Sequence, residues 1–285
     1  MIKLINYFFQ SLFIYLFFLL GRILGIRISR KLFGFLFYLI GPLFKSKKII
    51  NKNLEIFSSK VLNADKEKIY SSMWKNYGMT FIEYIFLDKL LNNYSYIKIK
   101  GEEHLLPFLN KKKPVIFISG HFANFELMSM QITKKKFDLA TIYRPLNNIF
   151  LNPLMEFLRK KYICKNQIKK GIKGVRIAID YIKKNYSIAL MIDQRVSEGE
   201  SINFFGKKAL TTTLPAQLAL KFNLFIIPVF IERTQDNNFV IEFQKPIDNN
   251  AFKNKIELSQ ELNKVLEKMV MRNPYQWIWT HNRWK

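Results

Sequence analysis

The stretch GHFANFE, residues 120–126, puts a histidine one glycine after the apolar run VIFIS and a glutamate five residues further on. A histidine titrates near neutrality and serves as a general base. A carboxylate on its other ring nitrogen holds the ring and stabilises the imidazolium. Positions five apart lie about 140° apart around an α-helix, so His121 and Glu126 share no helix face. They meet if His121 occupies a turn and Glu126 the first helical turn. Gly120 would allow a sharp exit from the strand. Asn124 would cap the helix and place Glu126 where acidic residues are favoured. The motif contains no serine or cysteine, so the proton removed would come from a substrate hydroxyl. The spacing alone is common, and a structural histidine fits it as well.

The elements that must hold such a pair alternate along the chain. Strand-like runs fall at 96–100, 115–119, 139–143, 188–193, 225–231 and 239–244, with helical periodicity at about 124–135, 149–162, 174–184, 213–222 and 256–271. This pattern predicts an α/β fold with a mostly parallel central sheet covered by helices. In such folds chemistry gathers at the carboxyl ends of strands. Arg144 follows LATIY there, and Asp193 and Gln194 close IALMID. Arg144 could meet a phosphate or an oxyanion, or make an ion pair at the turn before Pro145. Thr211, Thr212 and Thr213 precede Pro215 in a helix-start pattern, which could cap the helix or hold an anion. GxxxxGK[ST], GxGxxG and GxSxG are absent, so nucleotide-loop and serine-hydrolase readings lose their main support.

Lys and Arg number 46 against 21 Asp and Glu, a net charge of +25, in a chain that is 15% aromatic. Anionic lipid fits this better than nucleic acid, for which no zinc-finger, RNA-binding or basic-zipper pattern appears. One cysteine, Cys164, excludes an internal disulfide and a multi-cysteine metal site. Residues 4–20 and 32–44 are apolar and flanked by basic residues. Residues 1–44 therefore read as an uncleaved membrane anchor, with 45–285 as the main domain. The anchor would comprise a short spanning helix plus an interfacial one, or two interfacial helices, with buried core helices as the alternative. The bias of basic residues predicts a cytoplasmic main domain. His104 reads as solvated or structural and Cys164 as filling space; His281, beside Arg283, could touch an anionic substrate, but its segment with Trp277, Trp279 and Trp284 reads as packing.

With GHFANFE in place, the chain resembles the late acyltransferases of lipid A biosynthesis, part of a wider class carrying an H-x4-D/E motif. YRPLNN (143–148), DQR (193–195), FFGKKALTTTLPAQLAL (204–220), IPVF (227–230) and NPYQWIWTHNRWK (273–285) are similar to further blocks of that family. The resemblance implies transfer of a fatty acyl chain from acyl carrier protein to a hydroxyl of an anionic lipid A precursor. It places the reaction at the cytoplasmic face of the bacterial inner membrane, without metal or cofactor. It implies His121 as base and Glu126 as its partner, with Asn124, Arg144, Asp193 and Gln194 binding substrate; the helix-start pattern adds Thr212 as a substrate-binding candidate. An acyltransferase for another membrane lipid, a lipid or thioester hydrolase and a non-catalytic scaffold are the competing expectations.

Overall fold

The computed structural model describes residues 2–61 and 65–285. Among the described residues nine strands form: β1 (Ile97–Lys100), β2 (Ile116–Ser119), β3 (Leu139–Tyr143), β4 (Asn166–Lys169), β5 (Ser187–Met191), β6 (Glu200–Phe204), β7 (Lys207–Thr211), β8 (Ile226–Arg233) and β9 (Phe239–Phe243); the helices include the short α2 (Lys47–Ser58), α4 (Leu87–Asn92) and α5 (Leu106–Asn110). Seven of them make one sheet in the order β1-β9-β8-β2-β5-β3-β4, while β6 and β7 form a separate hairpin. Every neighbour pairing in the large sheet is parallel except β8 with β9. The expected α/β fold with a mostly parallel sheet is the one observed.

The central strand β2 is buried at all four positions. Parallel sheets covered on both faces demand this, and it explains why VIFIS shows no alternation. Side chains divide by parity. Ile116, Ile118, Ile188 and Leu190 join one core with α8 (Ile172–Lys183), α9 (Leu214–Phe222) and α10 (Lys255–Arg272). Phe117, Ala189, Val229 and Ile231 join the other, with α6 (Glu126–Lys134), α7 (Asn152–Tyr162) and α1 (Ile2–Phe44).

Helix α1 is long and apolar enough to cross a membrane, with a mean hydropathy of 1.9 in its most apolar stretch. It breaks at Gly25, whose φ of 75° and ψ of 164° are non-helical. Beyond the break the helix packs on α3 (Lys66–Glu83) through close backbone approach. A Cβ on Gly78 would lie 2.0 Å from the Phe33 carbonyl oxygen, and one on Gly41 would lie 2.3 Å from the Trp74 ring. Before the break, Tyr15 donates to the Phe150 carbonyl at 2.7 Å, and Asn148 donates to the Tyr7 carbonyl at 2.8 Å. Both halves of α1 thus contact the rest of the chain. The outer face of α1 stays exposed at Leu4, Phe8, Phe13, Leu16, Leu19, Ile23, Phe35 and Leu39.

Candidate active site

Strand register builds the centre of the site. Ser119 on β2 pairs with Met191 on β5, so the residues two steps past each strand end, His121 and Asp193, face each other. The Nδ1–H of His121 donates to Asp193 Oδ1 at 2.7 Å, and the backbone N–H of His121 donates to Oδ2 at 2.7 Å. The Trp277 indole adds a third hydrogen bond to Oδ2, at 2.9 Å. Burial by itself would raise Asp193, yet the His121 ring, the His121 N–H and the indole together hold it below the usual carboxylate range. A carboxylate accepts only, so the His121 proton sits on Nδ1 and Nε2 is free to take another.

The partner expected for His121 was Glu126; the structure corrects this. Glu126 Oε1 instead accepts from Arg159 Nε at 2.8 Å, from Arg159 Nη2 at 2.6 Å and from the Tyr84 hydroxyl at 2.6 Å. Burial would lower Arg159, but Glu126 and Tyr84 override it and hold the guanidinium firmly charged. Arg159 Nη1 is buried and has no hydrogen-bond partner.

The reason for this arrangement lies in the loop. Ala123 has a φ of 44°, a left-handed conformation that costs a non-glycine residue about 1 kcal/mol or more. It is held there from three sides. The Ala123 N–H donates to the Gln276 carbonyl at 3.0 Å, and its carbonyl accepts from Thr80 at 3.0 Å and Asn76 at 3.4 Å. This turn carries Glu126 away from His121. Gly120 contributes room rather than an unusual φ: a Cβ there would lie 2.7 Å from the Phe122 ring and 3.2 Å from Asp193 Oδ2.

Asn124 is also corrected. It neither caps α6, whose N-cap position is Phe125, nor lines the cavity. Its amide donates to the fully buried Glu83 at 2.9 Å. Glu83 also receives Arg30 at 2.6 Å and a double contact from Arg233. Burial opposes ionisation of Glu83, and the two guanidiniums and Asn124 overcome it, so its carboxyl lies below the ordinary range. Asn124 is a strut beneath the His121 loop.

His121, Glu126, Arg144, Gln194 and Thr212 line one cavity of about 550 Å³. Asp193 stands behind its wall, 1% exposed. Thr212 accepts from the Leu214 N–H at the start of α9. The cavity has two parts by sheet face. Thr141, Tyr143, Ala189 and Met191 share the face covered by α6 and α7, and with Met128, Ile163 and Gln167 they shape a slot between sheet and helices. Lys45, Arg144 and Lys170 stand around the remainder, and none makes an ion pair or side-chain hydrogen bond among the described residues. Burial and the neighbouring Arg144 push Lys170 down, against the pull of Glu198.

Reading the sequence marked the C-terminal segment as a family block but assigned none of its residues to the site. Trp277 fastens Asp193, and Ile278, Thr280 and His281 line the cavity. His104 and Cys164 lie elsewhere, bonded to the carbonyls of Phe243 and Leu139. Among the described residues no group of His, Cys, Asp and Glu is arranged to hold a metal ion.

A carboxylate–histidine pair stands at the carboxyl edge of a mostly parallel sheet beside this cavity, in a protein of the α/β class. The family model for bacterial lipid A biosynthesis acyltransferases matches residues 2–285; the chain belongs to that family and is an O-acyltransferase. It is 23% identical over 246 residues to the lipid A biosynthesis lauroyltransferase of Escherichia coli K12, covering 84% of this chain and 78% of that protein. It is 24% identical over 249 residues to the palmitoleoyltransferase of the same organism, covering 85% and 79%. The 1-acyl-sn-glycerophosphate acyltransferase of Thermotoga maritima superposes with a TM-score of 0.46 at 15% identity, over 89% of this chain and 100% of that one.

Proposed function

We propose that this protein moves a fatty acyl chain from an acyl carrier protein thioester to a hydroxyl of a lipid A precursor, at the cytoplasmic face of the inner membrane. The observation that carries the chemistry is the 2.7 Å bond from His121 Nδ1 to Asp193. It leaves Nε2 as an oriented base beside a cavity of about 550 Å³, a size suited to one extended ligand. Nε2 takes the acceptor hydroxyl proton, the oxygen attacks the thioester carbonyl, the C–S bond breaks, and the proton passes from His121 to the departing sulfur. Among the described residues no serine, threonine or cysteine bonds the His121 ring, which favours direct transfer over an acyl-enzyme. Glu126 serves through Arg159, a residue of the cavity wall that it holds in place.

The acyl chain fits the slot under α6 and α7. The unpaired Lys45, Arg144 and Lys170 suit the negative charge of a phosphorylated lipid. Helix α1, with Leu146, Ile149 and Phe150 exposed beside it, forms an apolar belt that seats this opening at the bilayer surface. No cofactor enters this chemistry.

The test is to incubate purified full-length protein with acyl carrier protein thioesters and candidate lipid acceptors, and to weigh both lipid and protein by mass spectrometry. An acylated lipid A precursor is expected, with no mass added to the protein. Transfer only to a phospholipid, release of free fatty acid, or a kinetically competent acyl-protein adduct would each replace this reading.

A further inference from the structure

The loop after β5 bonds two imidazoles, one from the loop after β2 and one from the C-terminal segment. Asp193 bonds His121, and two residues later the backbone N–H of Arg195 donates to Nε2 of His281 at 2.8 Å. A peptide N–H only donates, so Nε2 of His281 carries no proton and the ring is the Nδ1–H tautomer. The ring lines the cavity shared with His121 and Gln194, and no acceptor for its Nδ1–H exists among the described residues. The position is fixed from behind. The His281 carbonyl accepts from Asn53 at 2.7 Å and from the Arg283 N–H at 2.9 Å. Arg283 is itself buried and tied to Leu210 and Thr211.

We propose that His281 is a further catalytic residue, its Nδ1–H donating a hydrogen bond to the thioester carbonyl oxygen as that oxygen gains charge. This rests on the acyl-transfer reading above. The groups divide the work without conflict. His121 receives the hydroxyl proton and returns it to sulfur. His281 keeps its own proton throughout and stabilises the oxyanion between O–C bond formation and C–S bond cleavage. A neutral imidazole suits this role, because it donates without becoming an acid that would compete for the proton on His121. Burial, with Arg283, His121 and Lys170 nearby, outweighs the pull of Asp193 and brings His281 down to about 4, so the ring stays neutral at working pH.

The decisive experiment separates the two nitrogens. Replacing His281 with Nδ1-methylhistidine keeps the acceptor for Arg195 and removes the donor to the cavity. His281→Gln offers both an acceptor and a donor. Full-length wild type and both variants are assayed with acyl carrier protein thioester and lipid acceptor, and their melting is compared in the same detergent. The methylated protein should lose about 10²–10³-fold in kcat, with little change in KM or melting temperature, while His281→Gln should recover at least a tenth of wild-type kcat. Wild-type kcat in the methylated protein would reduce His281 to a prop for Arg195. A loss in His281→Gln as deep as that on methylation would reject the hydrogen-bond role and point to a steric effect. A wild-type chain that transfers no acyl group at all would instead overturn the underlying reading, and this inference with it.

Discussion

Asp193 grips His121 twice, its two oxygens taking the ring Nδ1–H and the backbone N–H of the same residue, each at 2.7 Å. Ring orientation and loop position therefore depend on one carboxylate that is itself out of water. Asp193→Asn would turn an NH₂ toward either the ring or the peptide, and where it meets the ring it imposes the wrong tautomer. The expected result is a loss of about 10⁴-fold in kcat with acceptor KM nearly unchanged. Steady-state kinetics decide the matter; a loss below tenfold would remove Asp193 from the mechanism.

Glu83 neutralises two guanidiniums, Arg30 and Arg233, at a site with no solvent exposure. Glu83→Gln leaves two buried cations facing an uncharged amide. Breaking a buried pair costs about 3–5 kcal/mol, so the variant should melt well below wild type and lose activity through the His121 loop. A melting temperature within a degree or two of wild type would show that the cluster is not a foundation of the fold.

Arg144 and Lys170 should act on the acceptor rather than on the chemistry. Arg144→Ala and Lys170→Ala should each raise acceptor KM about tenfold or more, the worth of one charge-assisted hydrogen bond. Arg144→Lys should recover only part, because an ammonium lacks the planar fork. Kinetics with an acceptor stripped of its phosphate give the check: the variants should then differ little from wild type.

The pH dependence of stability has a sign set by His281. Its folded value of about 4 lies below the ordinary 6.5, so below about 6.5 the unfolded chain binds a proton that the folded chain refuses. Its contribution is complete above 6.5 and is lost as pH falls toward 4. His281→Gln should flatten the fall in melting temperature across that window. Parallel curves for wild type and variant would assign the acid sensitivity to other groups.

Much of this was legible in the sequence for a simple reason. Buried parallel strands need continuous apolar runs, and polar residues directly after such runs stand at the carboxyl edge. His121, Arg144 and Gln194 were found that way, and all three line the cavity. The partner of His121 was not. Nearness in sequence favoured Glu126, while the true contact depends on β2–β5 register, which no local pattern encodes. The left-handed turn at Ala123 was equally silent, because alanine is not a residue that announces it. Strand β4 reads NQIK, an edge segment too polar for periodicity to mark. The β6–β7 hairpin turns at Phe205 and Gly206, both at positive φ; Gly206 was a visible turn signal, but a phenylalanine beside it hid the motif. Trp277 read as packing, and His281 as packing or an anion contact, because only the folded chain shows this segment returning to the strand ends.

The Glu83 cluster carries a practical consequence for anyone handling this protein. One oxygen of Glu83 binds Arg30 on the apolar helix and the other binds Asn124 in the His121 loop, so apolar helix and His121 turn are bolted to the same carboxylate. A water-soluble version trimmed at residue 44 would discard Arg30 and Phe33, expose the groove at Gly78 and unseat the turn it was meant to preserve. A cut at the break at Gly25 would keep Arg30, Phe33 and the Gly78 groove intact. Detergent or nanodisc preparations of the whole chain are the form in which its chemistry should be measured.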